Sequence, residues 1–132
     1  MKYILDTNSL SNEVLAKSHT RKDLCALQEV IDETASNGIR VSRIQSSGVE
    51  TLEMKTAHFN KLKEILTKEG DNFDLIRLYT NEGAADVAML AYALSEKENP
   101  EGLFPEEYTI VTKDKGLIEA GKKYGIKTIK KL

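Results

Sequence analysis

The chain has 132 residues, one cysteine and a formal net charge of -2, a size at which one domain buries roughly two thirds of its unfolded surface without disulfide staples. Residues 1–132 are therefore read as a single domain, and the near balance of charge excludes nucleic-acid binding through bulk charge alone. No apolar run approaches the roughly 20 residues of a membrane span, and Met1 to Leu10 is too short and too acidic for a signal peptide, so the expectation is a cytoplasmic protein with no membrane association.

Tyr3, Ile4 and Leu5 predict a first strand that stops abruptly at Asp6, with Thr7, Asn8 and Ser9 next and a helix beginning near Asn8 or Ser9. Cys25 sits in the apolar-periodic stretch of Leu24, Leu27, Val30 and Ile31. No Cys-x-x-Cys or metal-ligand spacing accompanies it, so it reads as a buried packing residue in a reducing compartment. After Asn37 and Gly38 a short strand is predicted from Ile39 to Ile44. The segment SSGVETLEMKTAHFNKLKEIL then carries Val49, Leu52, Phe59, Leu62, Ile65 and Leu66 at helical spacing, with Ser47 and Glu50 placed as a capping box.

Gly70 and Asp71 interrupt that pattern before a short amphipathic segment from Phe73 to Tyr79. Asn81 to Gly83 introduces a small-residue helix, AADVAMLAYAL, and SEKENPEGLFPEE reads as the long loop. Tyr108 to Thr112 makes a β-branched strand, Lys115 to Tyr124 a helix stopped at Gly125, and Ile126 to Ile129 a last strand. Strand and helix signals alternate, which predicts an α/β fold with a mostly parallel sheet.

The strand TIVT repeats the feature seen at the first one: it delivers an aspartate, Asp114, to its carboxyl end just before a helix. Parallel strands bring such ends to one edge, the edge where open α/β sheets bind ligands. Carboxylates gathered there repel unless a divalent cation is shared among them. Asp86, in the first turn of the small-residue helix, reads either as compensation of the helix dipole or as a third member. Glu50 and Glu53 stand three apart on one predicted helical face and read either as cap and solvated residue or as a fourth.

The DTN after the first strand, the mid-chain helical glutamate, D-x-A-x-L-A-x-A on the small-residue helix and T-x-D-x-x-L after a late strand together resemble a PIN domain, over Tyr3 to Ile129. That resemblance implies a three-layer α/β/α sandwich in which Asp6, Asp86 and Asp114 bind Mg2+ or Mn2+ and cleave RNA. Asn8 and Thr112 match the polar residues that hold the acids in place. For the glutamate, distance from the preceding strand favours Glu50 as catalytic residue and ligand, while Met54 after Glu53 makes Glu53 the other candidate ligand. Many members are VapC-like toxins of toxin–antitoxin pairs, so RNA, an antitoxin protein and a second copy of the chain are the implied partners. The alternative is a non-catalytic PIN-like module that binds RNA or protein.

Other chemistries find less support. There is no G-x-x-x-x-G-K-[ST] or G-x-G-x-x-G loop. A receiver-like domain would need paired acids after the first strand, where DTN offers one. His19 and His58 lack ligand partners, and Ser9, Ser46 and Ser47 read as caps. From Tyr108 onward Lys113, Lys115, Lys122, Lys123, Lys127, Lys130 and Lys131 outnumber the acids, which reads as a solvated helix face or as an edge that contacts phosphate.

Overall fold

Lys2–Leu5 forms β1 and is followed by a 3-10 turn, Thr7–Ser9, and by helix α1, Asn12–Ser18. The computed structural model describes residues 1–18, 21–36, 38–69, 84–99 and 106–132; the expected amphipathic segment 73–79, the Asn81–Gly83 lead-in, His19 and the 100–105 part of the expected loop lie outside the described residues. The remaining elements are β2 (Leu24–Leu27), α2 (Gln28–Ser36), α3 (Val41–Ser46), β3 (Glu50–Leu52), α4 (Thr56–Lys68), α5 (Ala84–Glu98), β4 (Tyr108–Val111), α6 (Lys115–Tyr124) and β5 (Thr128–Ile129). The five strands form one sheet in the order β3-β2-β1-β4-β5, and every pairing is parallel.

Three local expectations are corrected. Leu24 to Leu27 is a strand, buried along its whole length. A parallel strand covered on both faces reads as a continuous apolar run rather than an alternation, which hides it. The strand expected from Ile39 to Ile44 is instead largely the helix α3: of its apolar residues Ile44 is buried while Val41 is exposed. The long helix expected from Ser46 is split, since Ser47 caps the end of α3, Glu50 to Leu52 pair with β2 as an edge strand, and α4 begins only at Thr56. The Ser47–Glu50 capping box does not form, because the Ser47 hydroxyl donates back to the Ile44 carbonyl. At the true start of α4 the Lys55 N–H donates to His58 Nδ1 at 2.9 Å. Helix α5 in turn runs through Glu98, into the start of the expected loop.

Helices cover both faces of the sheet, giving three layers. On one face Tyr92 of α5 meets Tyr108 of β4 edge-on, with ring centroids 5.4 Å apart. Helix α6 approaches β5 so closely that a Cβ on Gly121 would stand 2.9 Å from the Ile126 carbonyl oxygen and from Thr128 Cγ2. The pleat puts Val111 on the opposite face from Tyr108 and Ile110, and there α1 lies alongside, its Val14 sharing a groove with Leu24 and Val111. Ile4, Leu27, Leu90, Ile110 and Leu117 are wholly buried between the layers. Helix α4 docks on α5 through His58, which stacks on Tyr92 at 4.2 Å and, because its Nδ1 accepts from Lys55, donates from Nε2 to Glu96 Oε1 at 2.9 Å. No helix among the described residues is long and apolar enough to cross a membrane.

Candidate active site

Leu5 pairs with Val111, so Asp6 and Thr112 follow at the same level where β1 and β4 end side by side. Asp6 is only 5% exposed. Its Oδ1 accepts from the Ser9 N–H at 2.9 Å and so caps the 3-10 turn, while the Ser9 hydroxyl donates to the Val111 carbonyl at 3.1 Å. The turn is thereby fixed to the neighbouring strand. Asp114 repeats the arrangement as the N-cap of α6: its Oδ1 accepts from the Leu117 N–H at 2.9 Å, and its own N–H donates to the fully buried Thr112 hydroxyl at 3.1 Å. Aspartate is a favoured cap because its short carboxylate reaches an otherwise unpaired helix N–H. In both residues the cap uses Oδ1, which leaves Oδ2 for another role.

Asp86 lies half-buried in the first turn of α5. Six residues on, Tyr92 reaches Tyr108 at the start of β4; at about 1.5 Å of rise per residue, Asp86 is displaced roughly 9 Å along the helix from that point. Because α5 leads down toward the beginning of a parallel strand, this displacement is toward the carboxyl edge. Asn8, within the 3-10 turn, faces the groove beside that edge.

The glutamates behave differently from expectation. Glu50 opens β3, level with Cys25 and so at the amino end of its strand rather than the carboxyl end, and its Oε2 accepts from Lys2 Nζ at 2.8 Å. That hydrogen bond holds the Lys2 pKa above its ordinary value. Glu53 follows β3 and is exposed. The two do not share a helical face, and the structure does not bring Glu50 to the edge where Asp6 and Asp114 sit.

The glutamate that does reach this edge is Glu29. It stands in the first turn of α2, two residues beyond the end of β2, on the strand next to β1. Helix α2 packs against both the Asp6-capped turn and α5. The Glu29 Oε2 is buried with no hydrogen-bond partner among the described residues, an arrangement that costs free energy unless a donor or cation completes it. The sequence did carry a signal: once Leu24 to Leu27 is read as a strand, Gln28-Glu29 becomes another acid at a strand's carboxyl end.

Asp6, Glu29, Asp86 and Asp114 thus each cap or open a helical segment at one edge of the sheet. Among the described residues no three histidine, cysteine, aspartate or glutamate side chains are closely enough grouped to hold a metal ion. The four acids offer oxygen donors only, the kind a hard cation such as Mg2+ or Mn2+ takes, and the buried Glu29 Oε2, without a partner among the described residues, is the one whose surroundings fit a ligand role. The free Cys25 is not part of the site: it is wholly buried, its thiol donates to the Tyr3 carbonyl at 3.3 Å, and burial pushes its pKa up to about 12. Comparison with protein-family models, with curated proteins and with solved structures finds no match for this chain.

Proposed function

We propose that the chain is a divalent-cation-dependent ribonuclease whose acids are Asp6, Glu29, Asp86 and Asp114, the finer reading being a VapC-like toxin held in check by an antitoxin. The observation that carries this reading is the buried Oε2 of Glu29, without a hydrogen-bond partner among the described residues, in a helix packed on the turn capped by Asp6. Asp6, Asp86 and Asp114, with Glu29, would hold Mg2+ or Mn2+. Such a cation lowers the pKa of a water and neutralises charge developing on a phosphodiester.

The chain's own groups do the positioning. Ser9 and Thr112 fix the backbones of Asp6 and Asp114, so that each Oδ2 is presented from a rigid cap rather than from a mobile side chain. A carboxylate not fully used in binding accepts the proton of the attacking water. Attack by water leaves a 5′-phosphate and a 3′-hydroxyl.

The test is cleavage of mixed single-stranded RNA by the purified protein with Mg2+ or Mn2+ and with chelator, the product ends being mapped. Cutting that requires the cation and leaves 5′-phosphates is the expected result. Cleavage that survives chelation, or a 2′,3′-cyclic phosphate product, overturns the mechanism. Binding of RNA or protein without any cutting supports the non-catalytic module instead. Growth arrest on induced expression in bacteria, absent with Asp6→Asn, tests the toxin reading.

A further inference from the structure

The lysines of the last quarter of the chain fall into two groups. Lys122 and Lys127 pair with Glu119 and Glu107 at 3.4 and 3.7 Å, and Lys123 reaches the buried Glu69 at 2.5 Å. Lys113, Lys115, Lys130 and Lys131 have no ion pair among the described residues, and all of these but Lys115 line one groove of about 440 Å³. The other cations of that groove, Lys17 and Arg21, are matched by Glu13 and Asp23. Among the side chains that line the groove, the uncompensated positive charge is therefore that of Lys113, Lys130 and Lys131.

The same groove has Val14, Leu24 and Val111 among its lining, together with the polar Asn8, Ser9 and Ser11. Ser9 is the residue whose N–H the Asp6 carboxylate accepts, so one end of the groove opens at the candidate active site. Unpaired cations beside an apolar wall and hydroxyls suit a single-stranded nucleic acid, whose phosphates seek charge and whose bases and 2′-hydroxyls seek apolar and polar contacts. We propose that this groove seats the RNA strand flanking the cleaved phosphate, with Lys113, Lys130 and Lys131 on its phosphates and the half-buried Val14 against a base. The inference rests on the ribonuclease reading and adds the path of the substrate.

The experiment measures fluorescence anisotropy of a labelled ten-nucleotide single-stranded RNA with the full chain in chelator, where binding is read without cleavage. Replacing Lys113, Lys130 and Lys131 together by Gln is expected to weaken binding at least about tenfold at low salt. With three phosphates no longer neutralised, at about 0.7 per phosphate, the dependence of log affinity on log salt should flatten by about 2. Arginine at the same three positions should restore binding. The triple change Lys63→Gln, Lys122→Gln and Lys127→Gln removes the same charge elsewhere and should leave affinity within about twofold.

Equal losses in the two triple variants would reduce the effect to bulk charge and overturn the groove. So would wild-type affinity in the groove variant, or a groove that takes a polyglutamate peptide and no RNA. RNA that binds through these lysines but is never cut with either cation sinks the ribonuclease reading and leaves the seat standing. RNA that is cut normally by the groove variant, with unaltered affinity, sinks the seat and leaves the reading standing.

Discussion

Lys2 Nζ lies 2.8 Å from Glu50 Oε2, tying the edge strand β3 to β1 across the intervening β2. A glutamate occupied in this way, at the amino end of an edge strand rather than at the sheet's carboxyl edge, belongs to a structural ion pair. Glu29→Gln is therefore expected to shift the Mn2+ dependence of cleavage to higher concentration, and Glu50→Gln to leave it unchanged. The titration of cleavage against Mn2+ for both variants decides between them. A shift confined to Glu50→Gln would return the ligand role to the residue that spacing alone favours.

The same pair makes a prediction in pH. Glu50 raises the Lys2 pKa above 10.5, so the stabilisation is complete below that ordinary value and is lost as pH rises through the raised one. Glu50 is half exposed, and the pair is worth at most about 1 kcal/mol. Urea denaturation at pH 8 should show Glu50→Gln slightly less stable than the parent chain, and the difference should shrink above pH 11. A gap that widens with alkali would contradict the pairing.

How much of this was legible depended on what each segment buries. Tyr3 to Leu5, Tyr108 to Val111 and the Lys115 to Tyr124 helix stand where the sequence puts them, and the acids that terminate them, Asp6 and Asp114, were visible as strand ends. The small-residue helix with Asp86 was equally plain. Leu24 to Leu27 was hidden because a strand buried on both faces loses its period of two, and with it went Glu29. The alternation in Ile39 to Ile44 misled because six residues cannot separate two periods when Ile44 alone is fully buried, Ile39 is partly so and Val41 is exposed. Glu50 to Leu52 is an edge strand with two exposed residues of three, held by β2 more than by its own composition.

Placing Cys25 in β2 has a chemical consequence. A thiol wholly buried, with its pKa pushed up to about 12, carries almost no thiolate at neutral pH. The native protein is expected to resist a disulfide reagent such as Ellman's at pH 8 over hours, and to react stoichiometrically once unfolded in urea. Rapid reaction of the folded chain would mean that β2 is not enclosed as described.

The close backbone approach of α6 tests the packing of β5. A methyl on Gly121 meets the Ile126 carbonyl oxygen and Thr128 Cγ2 at 2.9 Å, and one of the two neighbours is backbone that has little freedom to move. Gly121→Ala is expected to destabilise by about 1–3 kcal/mol through overpacking, despite the higher helix propensity of alanine. Urea denaturation measures it. An increase in stability would show that α6 can lift from the strand at no cost.

The two capping aspartates separate catalysis from folding. Asn keeps the Oδ1 that accepts from the Ser9 and Leu117 N–H groups, whereas Ala removes it. Asp6→Asn and Asp114→Asn should therefore abolish cation-dependent cleavage while leaving the melting temperature about unchanged, because asparagine caps a helix as well as aspartate. Asp6→Ala and Asp114→Ala should abolish cleavage and in addition lose about 1 kcal/mol of stability with the cap. Thermal melts and cleavage assays on all four variants are read together. If the Asn variants cut RNA as well as the parent chain, these residues are caps alone, and the carboxyl edge of β1 and β4 is not the site of chemistry.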